Sequence, residues 1–195
     1  MAKVSVSPTN DYCPQTLFLY GTNKEDGTPN FGLFCWFSYC WLDDLGVMAC
    51  ISGSKLTLER IRKTKAFSAN LVTEKLLPLA DYCGTAAGFD GDKLGAAFAC
   101  ERGKVLDVPV LSDSPVAFEL TVERMIPLND PDTEVLLCRV ENVLMDETLQ
   151  AEGESFEEKL RRIAPIRTTC QTYFGWDGHT LGAWHEPGKS VKSAL

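Results

Sequence analysis

The sequence predicts a mainly β chain of the α+β or barrel type, with two or three short helices set between strands. Three observations carry this. Runs rich in aromatic, β-branched and threonine residues recur between clusters of Gly, Pro, Asn and Asp. Residues 116–126 and 133–144 flank the turn sequence PLNDPD and read as an antiparallel hairpin. No regular strand–helix alternation runs along the chain, which speaks against a parallel doubly wound sheet.

Taken in order, residues 1–14 read as a loosely structured arm, and QTLFLYGT at 15–22 as a strand running into a polar turn with Gly27 and Pro29. Residues 30–42, NFGLFCWFSYCWL, form the densest apolar run. Both odd and even positions are apolar, so the run predicts one strand covered on both faces. Gly32 within it marks close approach by another backbone or a ligand. After a turn at 43–46, VMACI at 47–51 is a short buried strand. The spacing then predicts a helix over 58–64, capped by Thr57, with Glu59 in its first turn and Leu58 and Ile61 facing the core. A strand follows around 67–71. Leu76, Leu79 or Ala80, and Cys83 fall at helical spacing, and Pro78 demands a kink or a late start. The glycine-rich acidic stretch 84–94 lacks the Asp/Glu spacing of a calcium loop and reads as an irregular loop that delivers Lys93. Residues 104–111 are an extended connection. Beyond the hairpin, 153–162 predicts a short polar helix with Phe156 and Leu160 on its inner side, and the last ten residues a frayed tail.

The chain has 195 residues, 45% hydrophobic and 24% charged, with a net charge of −8. The acidic balance argues against nucleic-acid backbones and anionic membranes as partners. No apolar run reaches the roughly 20 residues of a membrane span. The first residues lack the apolar block of a signal peptide, so a cytoplasmic location is expected. Eight cysteines lie scattered, mostly inside apolar runs, and none forms a Cys-x-x-Cys. They read as small buried thiols of a reducing compartment, not as a metal or redox-dithiol site.

The chemistry concentrates after the strand at 47–51. Ser52, Gly53, Ser54, Lys55 and Thr57 lead into the helix, and Lys55, Arg60, Arg62, Lys63 and Lys65 face only Glu59 within 54–65. Hydroxyls, an ammonium and a helix N-terminus together suit a phosphate. The alternative is an exposed helix face that happens to be basic. The spacing of a Walker phosphate loop is missing, and so is a Gly-x-Gly-x-x-Gly turn. His179 and His185 stand apart from any Gly-x-Ser-x-Gly or zinc motif, and no catalytic residue or metal ligand is assigned. The aromatic run with Phe34, Trp36 and Phe37 beside a phosphate-suited loop fits a planar ring with a phosphate tail.

Several short motifs in order carry a resemblance. They are Asn30-Phe31 with Trp36-Phe37-Ser38, Lys55-Leu56-Thr57 with Ile61, and Phe67-Ser68-Ala69-Asn70-Leu71. Ala80-Asp81-Tyr82-Cys83-Gly84, Gly88-Phe89-Asp90 and Asp92-Lys93 continue it. Over about 15–148, and more weakly to 182, the sequence resembles the flavin reductase-like family of FMN-binding split barrels, nearest its flavoredoxin members. The resemblance implies one domain over 1–195 with its core at about 15–182, a six-stranded antiparallel split β-barrel with short flanking helices, and a homodimer with non-covalent FMN near the interface. It further implies that Ser52, Ser54, Lys55 and Thr57 hold the phosphate. Asn30, Cys35 and Trp36 would border the isoalloxazine, Asn70 would lie under the ribityl chain, and Lys93 would reach the phosphate or the ring edge. The implied activity is that of an oxidoreductase in which the flavin does the chemistry, with NAD(P)H as donor. A carrier reduced by a protein such as ferredoxin and a non-catalytic flavin-binding protein are the alternatives. Ala86-Ala87-Gly88 and Leu94 depart from the family pattern.

Overall fold

The computed structural model describes residues 2–89 and 99–192. Its centre is a seven-stranded antiparallel sheet, ordered β3-β2-β6-β9-β10-β5-β4. These strands are β2 (Phe18–Asn23), β3 (Pro29–Phe34), β4 (Phe37–Trp41), β5 (Leu45–Ile51), β6 (Ala66–Leu71), β9 (Val116–Pro127) and β10 (Glu134–Met145). Six strands were implied, and seven are found because the run at 30–42 breaks at Cys35–Trp36. Phe37 N donates to Cys35 O at 3.1 Å, and Cys50 N donates to Trp36 O at 3.0 Å. β3 and β4 then occupy opposite edges of the sheet, joined by those two residues alone. Three residue steps from Phe34 to Phe37 span at most ~10 Å, so the edges approach at this corner and the sheet must curl. No ladder joins β3 to β4.

The curl encloses the main core. Phe18 and Tyr20 of β2, Val47 and Ala49 of β5, Phe118 and Leu120 of β9, and Leu136 and Cys138 of β10 all point inward. Phe18 stacks on Phe37 with centroids 4.2 Å apart, and Tyr20 on Phe34 at 4.6 Å, so both edge strands pack into one interior. Helix α1 (Leu56–Thr64) adds Leu58 and Ile61 to the same cluster, as their spacing predicts. Outward-facing Leu17, Leu19 and Phe31 meet a second core under α2 (Leu77–Thr85), which takes in Ala80, Cys83, Ile166 and Tyr173. Two-sided apolarity at 30–42 therefore arises because β3 serves both cores, Phe31 and Leu33 the second and Phe34 the main one, while Phe37 of β4 returns to the main core. Pro78 lies in the first turn of α2, the late start its position demands.

The remaining strands lie on the outside. β1 (Gln15–Thr16), β11 (Arg167–Thr169), β12 (Thr172–Phe174) and β13 (Thr180–Ala183) make a second sheet, and β7 (Cys100–Arg102) pairs with β8 (Pro109–Leu111). Helix α3 (Phe156–Ile163) begins with a full capping box, Ser155 and Glu158. Phe156, placed inward by the helical pattern, is instead 92% exposed. The expected frayed tail is also corrected over its described part: Gly188 N donates to Asp81 Oδ2 at 2.8 Å, and α4 (Lys189–Lys192) follows. The eight cysteines form no disulfide. Burial pushes the Cys138 thiol up to about 12, with Cys40 and Glu123 adding to it, and burial also raises Cys35, Cys50 and Cys100. Among the described residues no helix is long and apolar enough to cross a membrane, and no cluster suits a metal.

Glu119 on β9 is fully buried and anchors the turn between β7 and β8. Its carboxylate accepts from the backbone N–H groups of Lys104 and Val105 at 2.9 Å and Leu106 at 2.6 Å, and from Asn142 Nδ2 at 2.8 Å. Burial alone would raise this carboxyl, but the donors outweigh it and hold it below its ordinary 4.5. A group depressed in the fold stabilises above its unfolded value and loses that contribution as pH falls through the folded one. Urea unfolding should therefore show stability falling below about pH 4.5. Glu119→Gln should cost about 1–3 kcal/mol at pH 7 and flatten that acid limb. An acid limb unchanged by the substitution would contradict the assignment.

Candidate functional site

A cleft of about 130 Å³ opens where β3, the N-terminus of α1 and the end of α2 converge. Asn30, Gly32 and Phe34 form its floor, Ser54, Lys55 and Thr57 one wall, and Gly84, Thr85, Gly88 and Phe89 the other. Glycines make this close packing feasible. A Cβ at Gly32 would lie 2.9 Å from Thr57 Oγ1, and one at Gly88 would lie 2.8 Å from Leu56 Cβ and 3.1 Å from Asn30 Oδ1. The close neighbours of Gly32 are thus side chains, those of Thr57 and Phe34, where another backbone or a ligand was expected.

Helix α1 begins two residues earlier than its pattern indicates. Lys55, with extended backbone, is the N-cap, and no side chain caps the first turn. Thr57 does not cap because its hydroxyl, buried inside the first turn, accepts from Asn30 Nδ2 at 3.0 Å. The other hydrogen of that amide goes to Thr22 Oγ1 at 3.1 Å. Among the described residues the Thr57 hydroxyl donates to nothing and Asn30 Oδ1 receives nothing, so one donor and one acceptor remain for a ligand. The first-turn N–H groups add the positive end of the helix dipole.

The basic cluster divides. Arg60 donates to Asn23 O at 2.9 Å and Glu25 at 3.1 Å, and Arg62 to Glu134 at 2.9 Å and Pro131 O at 2.9 Å. Lys63 bridges Glu25 at 2.7 Å and Glu59 at 3.0 Å, while Lys65 reaches Met125 Sδ at 2.9 Å. Lys55 is exposed at the cleft and has no acidic partner among the described residues. Among the described residues Lys55 and Lys65 both lack a carboxylate partner, and of the five cations only Lys55 lines the cleft.

The structure gathers Asn30, Ser54, Lys55 and Thr57 of the expected set. Cys35 and Trp36 follow the cleft-lining end of β3 without lining it themselves. Ser52 follows the end of β5 and does not line the cleft; its Oγ accepts from Thr133 at 3.0 Å. Asn70 is fully buried and fully used: Nδ2 donates to Leu19 O and Ser68 Oγ, and Oδ1 accepts from Leu111 N, all at 2.9 Å. It holds β8 to β6 and is not brought to the cleft. Lys93 lies outside the described residues. The wall from Gly84 to Phe89 was given no site role by the sequence, although Gly84 and Gly88-Phe89 belong to motifs that carry the resemblance.

The flavin reductase like domain model matches residues 11–163, so the chain belongs to that family and is a flavoprotein of the oxidoreductase type. Among solved structures it is similar to flavoredoxin from Methanosarcina acetivorans, with 21% identity, 98% of this chain and 100% of that one covered, and a TM-score of 0.79. An FMN-binding protein from Thermus thermophilus gives 21%, 90% and 93%, and 0.70. The flavin reductase of styrene monooxygenase from Pseudomonas putida S12 gives 16%, 83% and 90%, and 0.64. At these identities the likeness is one of fold. Comparison with curated proteins finds no match.

Asn30 ties β3, β2 and α1 together through buried polar contacts. Asn30→Ala should destabilise the protein by about 1–3 kcal/mol in urea unfolding, since two buried hydroxyls lose their donor. A change within about 0.5 kcal/mol would mean that the amide network contributes little.

Proposed function

We propose that this flavin reductase-like chain binds FMN non-covalently, with the phosphate at Ser54, Lys55 and Thr57, and passes electrons from NAD(P)H. The observation that carries the reading is Lys55, without an acidic partner among the described residues, beside a helix N-terminus that no side chain caps. One open cation, the Thr57 hydroxyl and first-turn N–H groups fit a single terminal phosphate, which favours FMN over a dinucleotide flavin. Asn30 offers its Oδ1 to a ligand hydroxyl, and the β3 end at Phe34–Trp36 supplies apolar surface for a ring. A bound flavin supplies the redox chemistry, and the protein's part is to hold it, orient it and limit water. That division suits a site without a nucleophile–base pair.

An open groove of about 610 Å³, lined by Lys24, Arg60 and Lys63 among others, adjoins the cleft through Leu56, Gly88 and Phe89. It supports access by a small-molecule donor. A second copy of the chain is proposed to cover the β4 edge. Trp41 there is 77% exposed and Tyr39 57%, with Leu45 opposite Trp41 on β5 also exposed. A bare edge strand carrying aromatics favours a partner. Eight cysteines without a disulfide suit a reducing cytoplasm.

Three measurements test this reading. Lys55→Ala should weaken FMN binding by about 1–3 kcal/mol, as expected for a lost charge-assisted hydrogen bond. Unchanged affinity would contradict the phosphate assignment. Anaerobic addition of NADH or NADPH should bleach the flavin absorbance. Bleaching by reduced ferredoxin alone would make the protein a carrier, and bleaching by neither a non-catalytic binder. In sedimentation, Trp41→Glu should shift a dimer to monomer, and an unaltered profile would exclude the β4 edge.

A further inference from the structure

Asp81 lies on α2 outside the cleft lining, 1% exposed, with its carboxylate fully used. Oδ1 accepts from the Tyr173 hydroxyl at 2.7 Å and the His185 backbone N–H at 2.8 Å, and Oδ2 accepts from the Gly188 N–H at 2.8 Å. One turn further along, the Thr85 hydroxyl donates to Asp81 O at 2.8 Å and lies 2.8 Å from His185 Nδ1. The hydroxyl proton being spent on that carbonyl, Nδ1 carries the hydrogen of the second bond. Gly188 packs on the helix backbone itself, since a Cβ there would fall 2.6 Å from Tyr82 N. On the other side Gly84 packs on β3, where a Cβ would lie 3.2 Å from Leu33 Cβ. Helix α2 is thereby gripped between the cleft floor and residues 185–188. Those residues lie beyond the family-matched stretch 11–163.

We infer that residues 185–188 are a strap that sets the cleft wall, with Asp81 as the positioning residue through which it acts. The wall is the C-terminal end of α2 and its continuation to Gly88, which rests on Leu56 at the N-terminus of α1. A helix moves as a rigid body over one turn, so Asp81 and Thr85 shift together. Without the strap, Asp81 loses the His185 and Gly188 N–H groups and keeps only Tyr173, Thr85 loses His185, and the wall is no longer pressed toward the anion-binding turn. A buried carboxylate holding three donors gives the strap a defined position. The inference rests on the cleft being the phosphate site proposed above, and it assigns no contact between the strap and the ligand.

The test titrates the full chain, freed of bound flavin, with FMN and with riboflavin, which has the same ring and no phosphate. Wild type is compared with Gly188→Ala and Asp81→Asn, neither position lining the cleft. FMN affinity should fall about tenfold in both variants, while riboflavin affinity changes less than about twofold. Equal losses for the two ligands, or no loss for either, would overturn the strap. A wild type that does not prefer FMN over riboflavin would overturn the phosphate reading instead. Asp81→Asn keeps one oxygen for Tyr173 and His185 and forfeits the Gly188 bond, so it carries the test if Gly188→Ala does not fold. Hydrogen exchange on Asp81→Asn gives an independent readout. Exchange should quicken at 84–89 and stay unchanged in β9, and unchanged exchange at 84–89 would refute the inference.

Discussion

The two-residue link at Cys35–Trp36 is the constraint on which the rest of the structure depends. It joins strands that lie at opposite edges of a seven-stranded sheet, so a flat sheet is geometrically impossible. The curl that results brings Phe18, Phe37 and Phe118 into one interior and leaves α1 to contribute Leu58 and Ile61 to it. It also leaves β3 beside both α1 and α2. The cleft exists because that edge strand is flanked by two helix ends rather than by another strand.

Electrostatics then selects within a segment that looks uniformly basic. Arg60, Arg62 and Lys63 are spent on carboxylates, the first two also on backbone carbonyls, and these bonds fasten α1 to the turn before β3 and to the hairpin turn. Lys55 stays out of that network: it is the N-cap, with extended backbone, and it lines the cleft. The helix thus separates fastening charges along its body from one cleft-lining charge at its head, the one proposed to meet the phosphate. A protein of net charge −8 needs no broadly positive surface to offer an anion site of this kind.

Much of this was legible in the residues, and the misses have physical reasons. The hairpin 116–144, the buried strand at 47–51, the inward Leu58 and Ile61 and the late start at Pro78 all follow local patterns. The break at Cys35–Trp36 did not, because one strand covered on both faces and two strands joined by a corner give the same apolar run. Thr57 satisfies every local rule for a cap, yet an amide 27 positions earlier takes its hydroxyl. Asn70 carries a family motif but spends its amide on fastening β8. The tail looked loose because its bonds come from backbone N–H groups of His185 and Gly188, which no side-chain pattern reveals. Sequence patterns report faces and caps well, and report badly on partners far along the chain.

The corner at Cys35–Trp36 also bears on the order in which the chain assembles. It connects two hairpins, β2–β3 and β4–β5, each closed by a short turn and therefore cheap in loop entropy. The pairings of β6 with β9 and of β10 with β5 join segments far apart in sequence and carry most of the contact order. The topology thus favours local hairpins that form quickly and wait, hinged at one corner, for the β9–β10 hairpin to arrive between them. Until it does, the inward faces of β5 and β6 are open, and that interval is when this chain is most exposed to misassociation.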